Sequence, residues 1–475
     1  MSTECSCGRP HTFPELKFAP HSRRAFLQRA SLGVGSLALA SLFARTASAT
    51  ATGLHHAPKA KRVIWLYMDG GISHVDTFDP KPRLTTDAGK KFPMKIEATQ
   101  FDSNGPVMAP LWEFKPRGQS GIPVSSMLPY IAECVDDLAV IRSMTNESAV
   151  HANANYWMHT GWGTAGRPSI GSWINYGLGS EADDLPGFVA LNAGLLPTGG
   201  IDNYKSGFLP ATFSASVFER KDPAVSNLTP ANPEKQKRQL QFIAAQDHEF
   251  SQQLGKADAI ESAIKNYELA ARLQTSVPSL LDLSGESEAT KKLYGFDAKF
   301  EHTRNYAKQC LLARRLVERG VRFVALSTPK VKGDERWDAH GDLKGNHTDH
   351  ALAIDQPIAG LLKDLKSRGL FKDTLVVFAT EFGRTPFSQG SNGRDHNQLG
   401  FSIWLAGAGI KGGTIYGATD EFGYKAVENK LLVHDLHATV LHLLGVDHTK
   451  QTYHYSGRDY RLTDVHGHVV SEIMT

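Results

Sequence analysis

The sequence is poor in cysteine, with four in 475 residues, and it lacks long apolar runs. After Leu54 no stretch approaches the roughly 18 consecutive apolar residues of a bilayer-spanning helix, which excludes a multi-span membrane protein. An excess of one charge is missing too. The formal net charge of +3 resides in residues 1–49, where Arg9, Lys17, Arg23, Arg24, Arg29 and Arg45 face Glu4 and Glu15; the rest comes to about −1. Charge therefore gives no support to a nucleic-acid partner, and none is expected. No internal repeat is present, and the one biased tract, Thr50–Lys61, reads as a flexible link. Of the cysteines, Cys5 and Cys7 fall near the N-terminus, while Cys134 and Cys310 lie in apolar helical contexts that predict buried, inert thiols. What remains is ordinary globular composition, 41% hydrophobic and 21% charged, enough for one large or two modest cores.

The N-terminus reads as an address. Ser22-Arg23-Arg24-Ala25-Phe26-Leu27 fits the twin-arginine export pattern, although Gln28 stands where that signal usually has Lys. An apolar, Gly-interrupted stretch from Ala30 to Ala44 follows, and then Ala47-Ser48-Ala49, a small-x-small cleavage site. The three parts in this order predict a signal peptide over residues 1–49 and a periplasmic or secreted mature protein. Residues 50–61 would be a linker and 62–475 the folded domain.

Six runs rich in β-branched and aromatic residues predict strands: Val63–Met68, Leu138–Met144, Phe188–Leu191, Val321–Ser327, Leu375–Thr380 and Phe401–Ala406. Their hydrophobicity is continuous, as a sheet covered on both faces requires. Helical patterns lie between them, at Tyr306–Arg319, Ala353–Leu365 and His434–Leu444, with Gly320 and Gly445 as stops. The alternation predicts an α/β fold with a mostly parallel central sheet and helices on both faces. Residues near 193–320 look like a largely helical insertion in the α/β domain, because Pro233–Thr275 carries a helical apolar stripe interrupted at Gly255.

Unusual polar clusters collect at the strand ends, where parallel α/β sheets bind ligands. Strand one runs into Asp69-Gly70-Gly71-Ile72-Ser73-His74-Val75-Asp76. Strand four leads to Trp337-Asp338-Ala339-His340-Gly341-Asp342, strand five ends in Thr380-Glu381-Phe382-Gly383-Arg384, and Gly393-Arg394-Asp395-His396-Asn397 precedes strand six. Carboxylates beside imidazoles at one sheet edge predict a metal-binding edge, and the planar fork of Arg384 suits an anionic group. His434, His437 and His442 share a mainly apolar helix and are expected to pack rather than ligate.

The segments Met68–Pro82, Ala313–Val324, Thr380–Pro386 and Gly393–Asn397, with the closing Gly457–Gly467, resemble one bacterial family, domain of unknown function 1501. It is placed in the alkaline phosphatase-like superfamily, which includes sulfatases. The resemblance implies that fold, with Asp69 and Glu381 on one metal and Asp338, His340 and His396 on another. It also implies departures. Phe382 replaces a histidine ligand, which disposes the second position to a harder ion such as Mg or Ca, or to being empty. Counting back from Thr160-Gly161, the place of the sulfatase nucleophile holds His151, with Ser148 the nearest hydroxyl. The signature Cys/Ser-x-Pro-x-Arg is absent.

Two functional expectations follow. One is an exported hydrolase of phosphate or sulfate esters using one or two divalent cations (Zn, Mg or Ca), with Ser148, His151 and Arg384 as catalytic candidates. Its substrate would be a small anionic ester or a polysaccharide. The other is a non-catalytic binding or assembly protein that keeps the fold.

Overall fold

The computed structural model describes residues 53–99, 103–220, 225, 232–254, 258–333, 336–390 and 392–475. The export signal and cleavage site expected within residues 1–49 lie outside them. Two sheets matter for the site. Their strands are β1 (Arg62–Tyr67), β2 (Asn104–Val107), β3 (Leu138–Met144), β4 (Phe188–Asn192), β5 (Ser216–Glu219), β6 (Phe323–Leu326), β7 (Thr374–Ala379), β8 (Gly383–Gln389), β9 (Gly393–Asn397), β10 (Phe401–Gly407) and β11 (Thr414–Tyr416). All six expected strands form. The eight-stranded central sheet has the order β11-β3-β10-β7-β1-β6-β4-β5. Every pairing in it is parallel except those of β10, which runs against both β3 and β7.

Side chains alternate across this sheet with a period of two, and both sets are buried. Ile64, Leu66 and Met68 pack with Leu311 and Leu316 of one helix and Ile358 and Leu362 of another. Val63, Trp65 and Tyr67 pack on the opposite face with Met158, Trp173, Leu436 and Leu441. The main helices are α1 (His151–Thr160), α2 (Ile170–Leu178), α3 (Pro233–Leu254), α4 (Asp258–Leu281), α5 (Glu301–Glu318), α6 (Leu343–Ser367) and α7 (Val433–Leu443). Cys134 and Cys310 are free and buried, as expected. No helix among the described residues is long and apolar enough to cross a membrane.

Three differences from the sequence expectation have physical causes. The segment near 193–320 is not wholly helical: after β4 it adds β5 as an outer parallel strand before α3 and α4, and α5 is an ordinary crossover helix. Helix α6 begins at Leu343, earlier than Ala353, because the Asp342 carboxylate accepts the Gly345 N–H and caps it. His347 and His350 therefore lie buried on a helix. The stretch read as a flexible link is tied down from His55 to Ala60. The N–H groups of His55 and His56 meet Gly445 O, and those of Lys59 and Ala60 meet Leu443 O, satisfying carbonyls at the C-terminal end of α7 that have no helical partner.

The second sheet is antiparallel, in the order β9-β8-β2. Its β8–β9 pairing sets Arg384 opposite His396, directly after the end of β7.

Candidate metal centre

Asp69 follows the tip of β1 and Glu381 the tip of the neighbouring strand β7; both side chains are fully buried. Asp69 accepts from Asn155 Nδ2 at 2.8 Å, from the Thr198 N–H at 3.1 Å and from Arg336 Nε. Burial and the charge of Glu381 push its carboxyl up to about 6, against the pull of Arg336. Glu381 accepts from the Gly70 N–H at 2.8 Å and from His151 Nδ1 at 2.6 Å. Burial would raise its carboxyl, but the bond to His151 and that ring's charge hold it below the ordinary carboxylate value.

His151 opens α1 and stands between two carboxylates. Its Nδ1 is on Glu381, and its Nε2 lies 3.1 Å from Asp338 Oδ2. Burial alone would lower this imidazole, yet Asp338 and Glu381 together raise it to about 9. Asp338 sits on a loop held over β1 by the Trp337 N–H on Asp69 O at 3.2 Å. Its Oδ1 receives Arg384 Nη2 at 2.7 Å and lies 2.9 Å from His340 Nε2 and 3.1 Å from His396 Nε2. Burial works against ionisation of Asp338, but the three histidines and Arg384 hold it well below the usual range. His396 is lowered to about 4, mainly by burial.

The structure thus brings Asp69, His151, Asp338, His340, Glu381 and His396 into one connected group. Within it, ligand atoms of His151, Asp338 and His396, of His340, Asp395 and His396, and of Asp69, His151 and Glu381 are close enough to share an ion. The donors fit a cation at Asp338: two imidazole nitrogens, His340 Nε2 and His396 Nε2, face each other at 2.9 Å beside a carboxylate oxygen. Phe382 stacks on His396 with ring centroids 4.4 Å apart.

Two catalytic candidates sit differently from the expectation. Arg384 is fully buried, and its guanidinium donates to the carbonyls of Gly70, Gly71, Trp337 and Arg394 as well as to Asp338. The expected clamp for an anionic group is instead a strut beneath Asp338, because each of its three nitrogens donates to an acceptor within the protein. Ser148 Oγ accepts the Val150 N–H at 3.1 Å, closing the turn that leads into α1. His434 and His437 contact the carbonyls of Gly161 and Met158, which joins α7 to the end of α1.

Residues 60–474 match the family described as a protein of unknown function, DUF1501. The chain belongs to that family. No curated protein matches it. The structure of this DUF1501 chain is similar to lipoteichoic acid synthase LtaP from Listeria monocytogenes, at 10% identity and a TM-score of 0.39, over 87% of this chain and 79% of that one. It is similar to phosphonate monoester hydrolase SpPMH from Silicibacter pomeroyi at 11% identity and a TM-score of 0.35, over 67% and 68% of the two chains. The alkaline phosphatase of the Antarctic bacterium TAB5 is 9% identical with a TM-score of 0.33, over 82% of this chain and 98% of that one.

Sequence reasoning missed three residues of the site in this DUF1501 protein. Asn155 is fully buried and links Tyr67 Oη at 2.6 Å to Asp69 at 2.8 Å. Its signal was available, since His151 and Asn155 are four apart on one helix face. Arg336 immediately precedes the Trp337-Asp338 motif and pairs with Asp69, its side chain a quarter exposed at 25%. Gln389, which faces His340 Nδ1 from the far end of β8, carried no local signal.

Proposed function

We propose that this protein is an exported, metal-dependent hydrolase of phosphate or sulfate esters. The convergence of Asp338, His340 and His396 at the sheet edge, with contacts of 2.9 to 3.1 Å, carries the reading. A divalent cation held there would polarise an ester oxygen and favour deprotonation of an attacking hydroxyl or water. Arg384 supports Asp338 from below, Phe382 walls His396, and Arg336, partly exposed beside Asp69, is the guanidinium placed to meet an anionic ester. Export rests on Arg23 and Arg24: changing both to Lys should leave the protein in the cytoplasm, and an undiminished exported fraction would refute this part.

The engagement of Ser148 in its own turn and the burial of Arg384 favour a second reading, a binding protein that keeps the fold and a metal. The deciding experiment is hydrolysis of a broad panel of phosphate and sulfate esters by metal-reconstituted protein. The hydrolase reading expects turnover that a chelator abolishes. No turnover on any ester at any metal loading gives the case to the binding protein.

A further inference from the structure

The three imidazoles around Asp338 share one orientation. His151 Nε2 lies 3.1 Å from Oδ2, and His340 Nε2 and His396 Nε2 lie 2.9 and 3.1 Å from Oδ1. The other nitrogen of each ring, Nδ1, is turned outward onto an oxygen: Glu381 Oε1 at 2.6 Å, Gln389 Oε1, and the Ala149 carbonyl at 2.7 Å. An oxygen at that position needs a proton on Nδ1, so in each neutral ring the Nε2 lone pair points inward. His151 Nε2 is buried, and the group facing it is the Asp338 carboxylate at 3.1 Å. A proton on Nε2 satisfies that carboxylate when no ion is bound, and a cation shared with His340 and His396 would take the proton's place.

We propose that His151 is a fourth protein ligand, through Nε2, to the cation at Asp338, His340 and His396. Glu381 is then the carboxylate that orients His151, not a ligand to a separate ion. The inference rests on the reading above, that a cation binds at Asp338. A ligating histidine whose other N–H is held by a carboxylate is a recurrent arrangement that fixes tautomer and ring angle. The surroundings of Glu381 agree, since the Gly70 N–H, Thr380 Oγ1 and His151 occupy its oxygens. Asp69, the other half of a second position, is engaged by Asn155, Thr198 and Arg336. Three nitrogens and one oxygen select a first-row transition ion such as Zn²⁺ over Mg²⁺ or Ca²⁺, which prefer oxygen cages. The Asp338 side chain is 32% exposed, so the ion would keep one side open to solvent.

The test titrates the metal-stripped full chain with Zn²⁺ against a competing chelator and with Co²⁺ by its visible spectrum. The expected result is one ion per chain. His151→Ala should weaken Zn²⁺ at least about tenfold and alter the Co²⁺ bands, and free imidazole should restore them. Glu381→Gln should weaken Zn²⁺ about 10- to 100-fold, the usual range for losing an orienting partner. Circular dichroism reports folding, and His151→Gln replaces the alanine variant if that fails to fold. If His396→Ala loses the ion while both His151 variants bind with parental affinity and spectrum, the inference fails and the metal reading survives. Two ions per chain, one lost in Glu381→Gln, would make Glu381 a ligand and overturn its assignment here. A parent that binds neither Zn²⁺ nor Co²⁺ overturns the inference and the metal reading together.

Discussion

Arg384 donates to Asp338 Oδ1 at 2.7 Å from a guanidinium with no exposed surface, so the charge that steadies the most exposed acid of the centre comes from inside the fold. The same guanidinium gathers carbonyls from three separate stretches, Gly70 with Gly71, Trp337, and Arg394. Arg384→Met would leave those acceptors buried without donors and Asp338 without its cation. The expected cost is about 3 kcal/mol, the low end for breaking a buried pair because Asp338 is partly solvated. Chemical denaturation measures it, and a loss under about 1 kcal/mol would show that the strut is dispensable.

Acid should destabilise the protein through two buried histidines, His437 and His159. His437 Nε2 is 2.9 Å from Met158 O and His159 Nδ1 is 3.0 Å from Asn155 O. Both rings are fully buried, which holds them at about 3 and about 4. Between roughly pH 6.5 and 4 the unfolded chain takes up these protons and the folded one does not. Stability therefore falls as pH falls, by about 1.4 kcal/mol per pH unit for each ring. Urea unfolding at pH 6.5 and 5 should show this, and His437→Gln should remove one ring's share of the slope. An unchanged slope would contradict the assignment.

Ser148→Ala removes a hydroxyl whose hydrogen bond is to Val150. If the parent hydrolyses an ester, this variant should keep turnover within about tenfold, since an unactivated serine contributes no attack. A loss beyond about 100-fold, with folding intact, would reinstate Ser148 as the nucleophile.

Gly71 has φ of +77°, and a Cβ there would meet ring atoms of Phe382 at 2.7 Å. Gly71→Ala should cost about 1–3 kcal/mol from the left-handed backbone and the crowding. Because the Phe382 ring stacks on His396, Zn²⁺ affinity should fall as well. Unchanged melting temperature and affinity together would show that the ring can move aside freely.

The central strands were legible because a strand buried on both faces has to be apolar at successive positions, as Val63–Tyr67 and Leu375–Ala379 are. Strand β5, at the outer edge, is only partly buried and spells Ser-Val-Phe-Glu, so no such run marks it. Strand β8 is buried throughout yet reads Gly-Arg-Thr-Pro-Phe-Ser-Gln, because hydrogen bonds to carbonyls, not apolar packing, fill its surroundings. At the centre, Asp69 and Glu381 showed themselves by standing just beyond strand ends, and Asp338, His340 and His396 by the pairing of acid and histidine within short motifs. The inward turn of Arg384 did not, because its acceptors come from segments far apart in sequence, and no local spacing reports which way a guanidinium will point.

The group around Asp338 joins residues from β1, α1, the loop before α6, the end of β7 and the hairpin of β8 and β9, so the chain from Asp69 to His396 must be in place before the set exists. No short fragment can assemble it, and a nascent chain has nothing comparable to offer an ion. Ion capture would then be a late event that reports completed folding. If the proposed twin-arginine route holds, the choice of metal would be made by the compartment where the protein folds, before it meets the ions outside.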